Sequence, residues 1–151
     1  MKLAADSMLG GLAKWLRLLG FDTYYLRHGP KEPMPDRILL TRRSTRPHQP
    51  RLQGWQVIIN LSSNDTQSQL REVIQSLGLK REEAHPLTRC SNCNRTLQTV
   101  SKDDIADRVP EFVLNYHDEF SLCPGCERVY WPGTHHDRML KVLNGLWDDG
   151  A

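Results

Sequence analysis

The chain has 151 residues, four of them cysteine, and a formal net charge of +2. It contains no run of about 18 apolar residues and no charged-then-apolar leader, so we expect no membrane span, no export and a cytoplasmic location. A net charge this close to zero says little by itself about partners. The length accommodates one domain, or a domain of about 85 residues followed by a small module.

The first half of the chain carries the patterns of alternating strands and helices. A short apolar strand at 2–5 leads into a helical repeat of leucines, with Asp6 or Ser7 as candidate helix caps. A second helix follows cap candidates at 62–65 and ends at Gly78. Further strands are expected at three places: 23–26, 37–41 and 55–60. This order predicts an α/β fold in which a parallel sheet is flanked by helices.

All four cysteines lie in two CxxC pairs, Cys90 with Cys93 and Cys123 with Cys126. Two such turns aim four thiolates at one ion, which is the ligand set of a closed, tetrahedral, structural zinc centre. Two disulfides or a redox-active CxxC are the alternatives, although a reducing compartment disfavours disulfides. A closed site leaves no open coordination position for catalysis. Separately, we expect no small-molecule cofactor.

The cysteines also divide the chain. We expect the α/β domain to cover residues 1–80 and a small zinc ribbon to cover residues 86–148. The acidic insertion between the two cysteine pairs is expected to be mostly exposed, and leucine spacing predicts a closing helix over 137–147. The apolar support of the ribbon is expected from four side chains: Phe120, Val129, Tyr130 and Trp131.

Asp6 is the most suggestive carboxylate, because it follows the first strand and open α/β sheets bind ligands at the carboxyl ends of their strands. A carboxylate there suits Mg²⁺ or Mn²⁺ and, with further acids, a metal-assisted phosphodiesterase site. Asp65, after the last strand of the sheet, is the best-placed second acid, and Asp22 and Asp36 lie near other element ends. The alternative for each is a structural role as a cap or turn residue.

A basic stretch from 37 to 51 contains five arginines and no acid. The arginines are Arg37, Arg42, Arg43, Arg46 and Arg51. Guanidinium groups without a compensating acid suit phosphate, so the stretch is a candidate nucleic-acid-binding strip. A solvated loop that contacts no partner is the alternative.

The segment from Tyr130 to His136 combines aromatic, turn and imidazole groups. Its aromatic rings, beside Arg128 and Arg138, suit stacking on unpaired bases, although a Tyr-Trp pair next to a cysteine turn also packs a ribbon. The two adjacent histidines are not expected to bind the zinc, because four thiolates already saturate it.

Three segments carry a resemblance to a known family. They are DSMLGGLAKWLRLLGFDT at 6–23, LLTR at 39–42 and YWPGTH at 130–135, in this order and together with the paired cysteines. The chain resembles the Mut-seven C-terminal RNase family, in which a PIN-like ribonuclease domain precedes a zinc ribbon. The resemblance implies a PIN-like parallel sheet, RNA as substrate and an acidic cluster that binds Mg²⁺ or Mn²⁺, with Asp6 as the first acid and the cysteines as zinc ligands.

The chain departs from this family at two places that concern catalysis. The family's motif after the third strand is of a Leu-Thr-Arg-Asp type, and Arg43 stands where its acid falls. The connection from Arg27 to Asp36 is too short and too rich in proline for the acid-containing helix that the family carries there. With only Asp36 or Asp65 to join Asp6, metal ions would be held weakly.

These features predict an RNA-binding PIN-like protein with a structural zinc ribbon and weak or lost ribonuclease activity. One alternative is an active metal-dependent ribonuclease that uses Asp6 and Asp65, with Arg42 and Arg43 positioning phosphate. The other is a protein-interaction module in which the arginines only face solvent. A protein partner that completes the site is compatible with the RNA-binding protein and with the active ribonuclease.

Overall fold

The computed structural model describes residues 1–45 and 49–148. Arg46, one of the five arginines of the predicted strip, lies outside the described residues. The helices and strands follow in chain order: β1 (Lys2–Ala5), α1 (Gly10–Leu18), β2 (Asp22–Tyr25), β3 (Ile38–Thr41), β4 (Ile58–Asn60), α2 (Thr66–Leu77), β5 (Gln98–Val100), α3 (Lys102–Ile105), α4 (Glu111–Tyr116), β6 (Phe120–Leu122), β7 (Val129–Tyr130) and α5 (Thr134–Asp148). Short 3-10 turns lie at Pro50–Leu52 and Arg81–Glu83.

Strands β1 to β4 form one parallel sheet in the order β2-β1-β3-β4. The central strands β1 and β3 pair with Leu3 opposite Ile38 and Ala5 opposite Leu40. Strands that have neighbours on both sides and covered faces need apolar side chains throughout, which explains their uninterrupted apolar sequence. The predicted α/β class, with a parallel sheet flanked by helices, is confirmed.

The side chains of the central strands alternate between two apolar cores, because successive residues of a strand point to opposite faces. Leu3 and Leu40 belong to the larger core, which α1 and α2 complete with their buried leucines. Ala4 and Leu39 belong to a smaller core on the other face, which Trp55 covers. In the described part of the chain, loop residues and the 3-10 turn that contains Leu52 close this face.

The strand expected at 55–60 is shorter than predicted and begins at Ile58. Trp55 is buried in the smaller core, and its indole N–H donates to the Pro30 carbonyl at 2.7 Å. Trp55 therefore lies before the strand, and its apolar character serves the smaller core and not strand pairing. Tertiary packing therefore overrides the strand composition of this segment.

The two helices of the α/β part differ in how they begin. α2 starts as expected, because Asp65 accepts a hydrogen bond from the Ser68 amide at 3.0 Å. α1 starts only at Gly10, with Leu9 as the cap residue and no capping side chain. A turn precedes it, in which the Leu9 amide donates to the Asp6 carbonyl at 2.8 Å. The alternative in which Asp6 caps α1 is therefore wrong, and its carboxylate has other partners.

The second sheet is antiparallel, with the order β5-β6-β7. The insertion between the cysteine pairs forms α3 and α4 and is mostly exposed, as expected. Ile105 and Val113 are nevertheless buried against Phe120, and Trp131 packs on the same cluster. The insertion therefore supplies part of the small core that supports the ribbon.

The closing helix α5 packs on the α/β part of the molecule. Its buried residues Met139, Leu143 and Leu146 belong to the same core as the leucines of α1 and α2. The Trp147 indole N–H also donates to the Leu79 carbonyl at 2.8 Å. Among the described helices, none combines the length and the apolar character that crossing a membrane requires.

Candidate functional site

Asp6 lies at the carboxyl edge of the parallel sheet. It directly follows β1, and its backbone amide donates to the Leu40 carbonyl at 3.0 Å. Thr41 ends β3 and Asn60 ends β4, and the two residues are register partners at the same edge. Asp6 has no exposed surface. The residue therefore occupies the position at which open α/β sheets bind ligands, but it is covered.

Both oxygens of the Asp6 carboxylate are occupied by donors from this chain. Oδ2 accepts from Thr41 Oγ1 at 2.6 Å and from Arg43 Nε at 2.7 Å. Oδ1 accepts from the Ser7 amide at 2.6 Å, and Arg43 Nη2 lies 3.5 Å from it. One guanidinium thus spans the carboxylate, an arrangement that charge-assisted pairs favour. The anion is both saturated and neutralised within the protein.

These donors keep Asp6 ionised. Burial by itself raises the pKa of the carboxyl, but the hydrogen bonds from Thr41, Arg43 and Ser7 and the charge of Arg43 outweigh burial. The net effect lowers the pKa below its ordinary value of 3.8. A divalent cation that binds this carboxylate must therefore displace the guanidinium first.

Arg43 is itself held by its surroundings. Its amide donates to Thr41 Oγ1 at 3.0 Å, and its carbonyl accepts from Asn60 Nδ2 at 2.5 Å. A methyl group added to Gly29 would lie 3.6 Å from Arg43 Nη2, so the loop after β2 passes beside the guanidinium. The side chain keeps 26% of its surface exposed. The loop after β2 and the last residues of β3 and β4 therefore position Arg43 against Asp6. Part of the Arg43 side chain still reaches solvent.

The other candidate acids have structural partners. Asp65 is exposed and caps α2, and its pKa is lowered chiefly by the hydrogen bond from the Ser68 amide. Asp36 lies 3.3 Å from the ammonium of Lys2, at the opposite edge of the sheet from Asp6. In the described part of the chain, only one group of three or more histidine, cysteine, aspartate or glutamate side chains lies close enough to hold a metal ion. That group is the four cysteines. The acids present do not fit a centre for two divalent cations.

The structure separates the arginines of the predicted strip. Arg42 is exposed at the carboxyl edge, and its Nη2 donates to Asn64 Oδ1 at 2.6 Å. Arg51 is exposed in the first 3-10 turn. Arg37 lies at the opposite edge, where it binds Asp22 Oδ1 at 2.8 Å and is only 12% exposed. Arg37 therefore holds the sheet together and does not lie beside Arg42.

Three basic side chains at the carboxyl edge were missed by the sequence analysis. Arg27, His28 and Lys31 closely follow β2 and are exposed, as Arg42 is after β3. They line an open hollow of about 490 Å³, in which Glu32 is the acid among the lining residues. Their position just beyond a predicted strand was the signal that could have identified them.

The four cysteines converge as predicted. The Sγ atoms of Cys90, Cys93, Cys123 and Cys126 all lie within 4.8 Å of one another, and those of Cys90 and Cys126 are 3.6 Å apart. Four sulfurs at about 2.3 Å from a tetrahedral zinc ion are separated by roughly 3.8 Å, so the spacing and the donor set fit one such ion. All four thiols are free, so the disulfide alternative is wrong.

Two turns of the same geometry present the thiolates. The residue after each pair, Asn94 or Glu127, has a positive φ of 66° or 63°. Its amide donates at 2.9 Å to the carbonyl of the first cysteine of the pair. A backbone amide also points at sulfur, from Cys93 to Cys90 Sγ at 3.3 Å. The backbone thus shapes the site and offsets the charge of the thiolates.

Tyr130 and Trp131 have different roles in the ribbon. The Tyr130 hydroxyl lies 3.1 Å from Cys90 Sγ and 3.2 Å from the Ser91 amide. Trp131 packs on Phe120, with ring centroids 6.4 Å apart. The Tyr130 hydroxyl is therefore engaged by the cysteine centre. The Trp131 ring has no such bond and lines a cleft at the surface of the ribbon.

The first cysteine turn is bonded to the exposed edge of the parallel sheet. Asn94 Oδ1 accepts from the Thr23 amide of β2 at 2.9 Å, and Asn94 Nδ2 donates to Asp22 at 2.7 Å. Arg17 of α1, which is buried, donates to the Thr23 carbonyl at 2.8 Å and to the Ser91 carbonyl at 3.0 Å. Backbone groups of an edge strand are thereby satisfied. These hydrogen bonds of the first cysteine turn hold the ribbon against the α/β part.

A family model for the Mut7-C RNAse domain matches residues 1–143. The chain belongs to the Mut7-C RNAse domain family. The match covers the parallel sheet, the cysteine centre and most of α5, so the resemblance inferred from the sequence is confirmed. No curated protein and no solved structure gives a match.

Membership of the Mut7-C RNAse domain family suggests a ribonuclease-like or RNA-related role. In this Mut7-C protein, Arg43 stands where the sequence resemblance expects an acid, and the structure shows it bound to the Asp6 carboxylate. A substitution that removes one acid therefore also covers another.

Proposed function

We propose that this Mut7-C protein binds RNA at the carboxyl edge of its parallel sheet and has weak or no ribonuclease activity. The observation that carries the proposal is the pairing of Asp6 with Arg43, whose Nε lies 2.7 Å from Oδ2. Hydrolysis by two metal ions needs several carboxylates that hold the ions about 4 Å apart. Here the best-placed carboxylate already binds a cation and two further donor groups.

The charges at the same edge support phosphate binding. Arg27, Lys31 and Arg42 are exposed in loops that follow β2 and β3, with Glu32 as a nearby acid. Guanidinium groups bind phosphate oxygens through paired hydrogen bonds, and each neutralised phosphate releases counterions. The exposed quarter of Arg43 adds a guanidinium whose outer side faces the same region. An RNA backbone is the ligand that this distribution suits best.

Family membership favours a second candidate, an active metal-dependent ribonuclease. In that candidate Arg43 leaves Asp6 when RNA binds, and Asp65 or a partner protein supplies a further carboxylate. A protein-interaction module is the third candidate, in which the arginines contact no phosphate. The three differ in cleavage and in salt dependence.

We also propose that the cysteine centre holds structural zinc and that the protein acts in the cytoplasm, where thiols stay reduced. The closed set of four thiolates is saturated by one ion, so the centre shapes the molecule and takes no part in a reaction. Metal analysis of the purified protein is expected to find one zinc ion per chain.

The experiment that tests the function uses the full chain, a labelled single-stranded RNA and the variant Asp6→Asn. Binding is measured by fluorescence anisotropy over a range of salt concentrations, and cleavage is measured with Mn²⁺. We expect salt-dependent binding without cleavage, and the same binding by the variant. Cleavage that Asp6→Asn abolishes would establish the active ribonuclease instead. Absence of salt-dependent binding would exclude RNA as the ligand of this edge.

A further inference from the structure

A cleft of about 610 Å³ opens where the ribbon, α4 and α5 meet. Its floor is apolar and includes Leu18 at the end of α1 and Met139 of α5. The cleft is remote from the carboxyl edge, because α1 begins near Asp6 and its nine residues run for about 13 Å before Leu18. The cleft is therefore a separate site and not an extension of the Asp6 edge.

Three aromatic rings line this cleft, those of Phe112, Tyr130 and Trp131, and the hydroxyl of Tyr130 is already engaged by Cys90 and Ser91. Phe112 on α4 is 65% exposed, whereas its neighbour Val113 is buried and anchors the helix in the small core. The core therefore does not require Phe112, and its exposed ring lines the cleft, where it is available to a ligand. Trp131 is fixed from behind by Phe120, and a methyl group added to Gly133 would lie only 3.0 Å from its Nε1. The cleft thus has an exposed aromatic wall on α4 and a packed aromatic wall in the ribbon.

Three of the six polar side chains that line the cleft are basic. His117, Arg128 and His136 line it, and none of the described lining residues is an acid. Arg128 and Trp131 also line an adjoining hollow of about 460 Å³, together with Arg108 and one acid, Glu127. An apolar floor, aromatic walls and a basic rim fit a ligand that is flat, aromatic and attached to phosphate.

We propose that this cleft binds an unpaired RNA base, with Phe112 and Trp131 as stacking surfaces and Arg128 at the adjoining phosphate. The proposal rests on the proposed function and names a second contact region for the same ligand. Single-stranded RNA is required, because bases inside a duplex are stacked on each other and present only their edges. One strand that reaches both regions crosses the side of α1 between them.

The test compares Phe112→Ala with Tyr116→Ala in the full chain. Tyr116 lies on the same helix, is 83% exposed and does not line the cleft, so it is a matched control. The probes are a single-stranded RNA of about twelve nucleotides and inorganic polyphosphate, which carries charge without bases. We expect Phe112→Ala to weaken RNA binding about fivefold or more and to leave polyphosphate binding unchanged. Tyr116→Ala is expected to bind both probes as the wild type does.

A third variant tests the basic rim. Arg128→Gln is expected to weaken binding of both probes and to reduce the salt slope for RNA by about one. Lys141→Gln, on the exposed side of α5, is its control and is expected to leave the slope unchanged. Adenosine monophosphate is a further probe, which tests whether the cleft is a site for a base of RNA or for a free nucleotide. Tight binding of adenosine monophosphate, with no preference for RNA, would overturn the assignment to RNA.

The two proposals fail in different ways. If the wild type binds RNA and Phe112→Ala binds it equally well, the cleft proposal is overturned and the function proposed for the sheet edge stands. If Phe112→Ala weakens RNA and polyphosphate binding alike, stacking is not the cause and the cleft proposal also fails. If the wild type binds no RNA in a salt-dependent way, the proposed function fails and the cleft proposal fails with it.

Discussion

Asn94 accepts a hydrogen bond from the Thr23 amide at 2.9 Å, although 71 positions separate the two residues in the chain. Asn94 has the positive φ that its cysteine turn requires, and Thr23 lies in the edge strand of the parallel sheet. The turn that shapes the metal centre therefore also completes the sheet. Two consequences of this coupling are measurable.

Removal of the metal is expected to loosen β2 as well as the ribbon. Without an ion to gather the four thiolates, the first cysteine turn loses its shape, and the Thr23 amide loses the acceptor that Asn94 provides. Hydrogen exchange of the full chain, with and without a chelator, measures the effect. We expect the Thr23 amide to lose protection. Unchanged protection there, with loss confined to the ribbon, would show that the two parts are independent.

Substitution of Asn94 separates the contribution of its side chain from that of its backbone. Asn94→Gly keeps the positive φ but removes both hydrogen bonds, so we expect the free energy of unfolding to fall by about 1–3 kcal/mol. Asn94→Ala adds the strain of a left-handed backbone and is expected to lose about 1 kcal/mol more. Urea denaturation of the zinc-loaded protein measures both. Equal stabilities of the two variants would contradict the backbone argument.

The pairing of Asp6 predicts a pH dependence of stability. The pKa of Asp6 is lowered in the folded protein, so the pair stabilises the fold above the unfolded-state pKa. This contribution is lost as the pH falls through the lower folded-state pKa. Wild type is therefore expected to be more stable than Asp6→Asn at neutral pH, with a difference that shrinks in acid. Urea denaturation at pH steps from about 7 to about 3 measures it. A difference that is independent of pH would contradict the pairing.

Arg42 and Arg37 form a matched pair of substitutions for RNA binding. Arg42→Gln removes an exposed cation at the carboxyl edge, so the salt slope for RNA is expected to fall by about one. Arg37→Gln breaks a largely buried pair with Asp22 and is expected to reduce stability while leaving the slope unchanged. Anisotropy titrations and urea denaturation measure the two properties. An equal effect of both variants on the slope would contradict the separation of the two edges.

Arg43→Asp tests whether the edge still supports a divalent cation. The variant replaces the cation beside Asp6 by a second carboxylate, so we expect lower stability without metal and a melting temperature that rises with Mn²⁺ concentration. Wild type is expected to show no such rise. The double variant Asp6→Asn with Arg43→Asp is the control, because it lacks one of the two acids. If the melting temperature of Arg43→Asp does not change with Mn²⁺ concentration, restoring an acid at this one position is not enough to bind a divalent cation.

Local features were predictable from the sequence because they depend on neighbours in the chain. The CxxC spacing identified the ligands of the metal centre, and Asp65 and Gly78 marked the ends of α2. Turn and cap chemistry involves residues three or four positions apart, so it can be recognised without the fold. The family resemblance also showed that Arg43 stands where the family's motif has an acid.

The tertiary structure decided how distant residues meet. Arg43 neutralises Asp6, 37 positions away, because β1 and β3 are neighbours in the sheet. Arg37 is directed to the opposite edge because it precedes β3, whereas Arg42 follows that strand. Charge along the sequence does not distinguish the two arginines, since they lie at opposite ends of one strand. The sequence by itself indicated the family, the α/β class and the four cysteines that converge, whereas the order of strands decided which charges neutralise each other and which stay exposed.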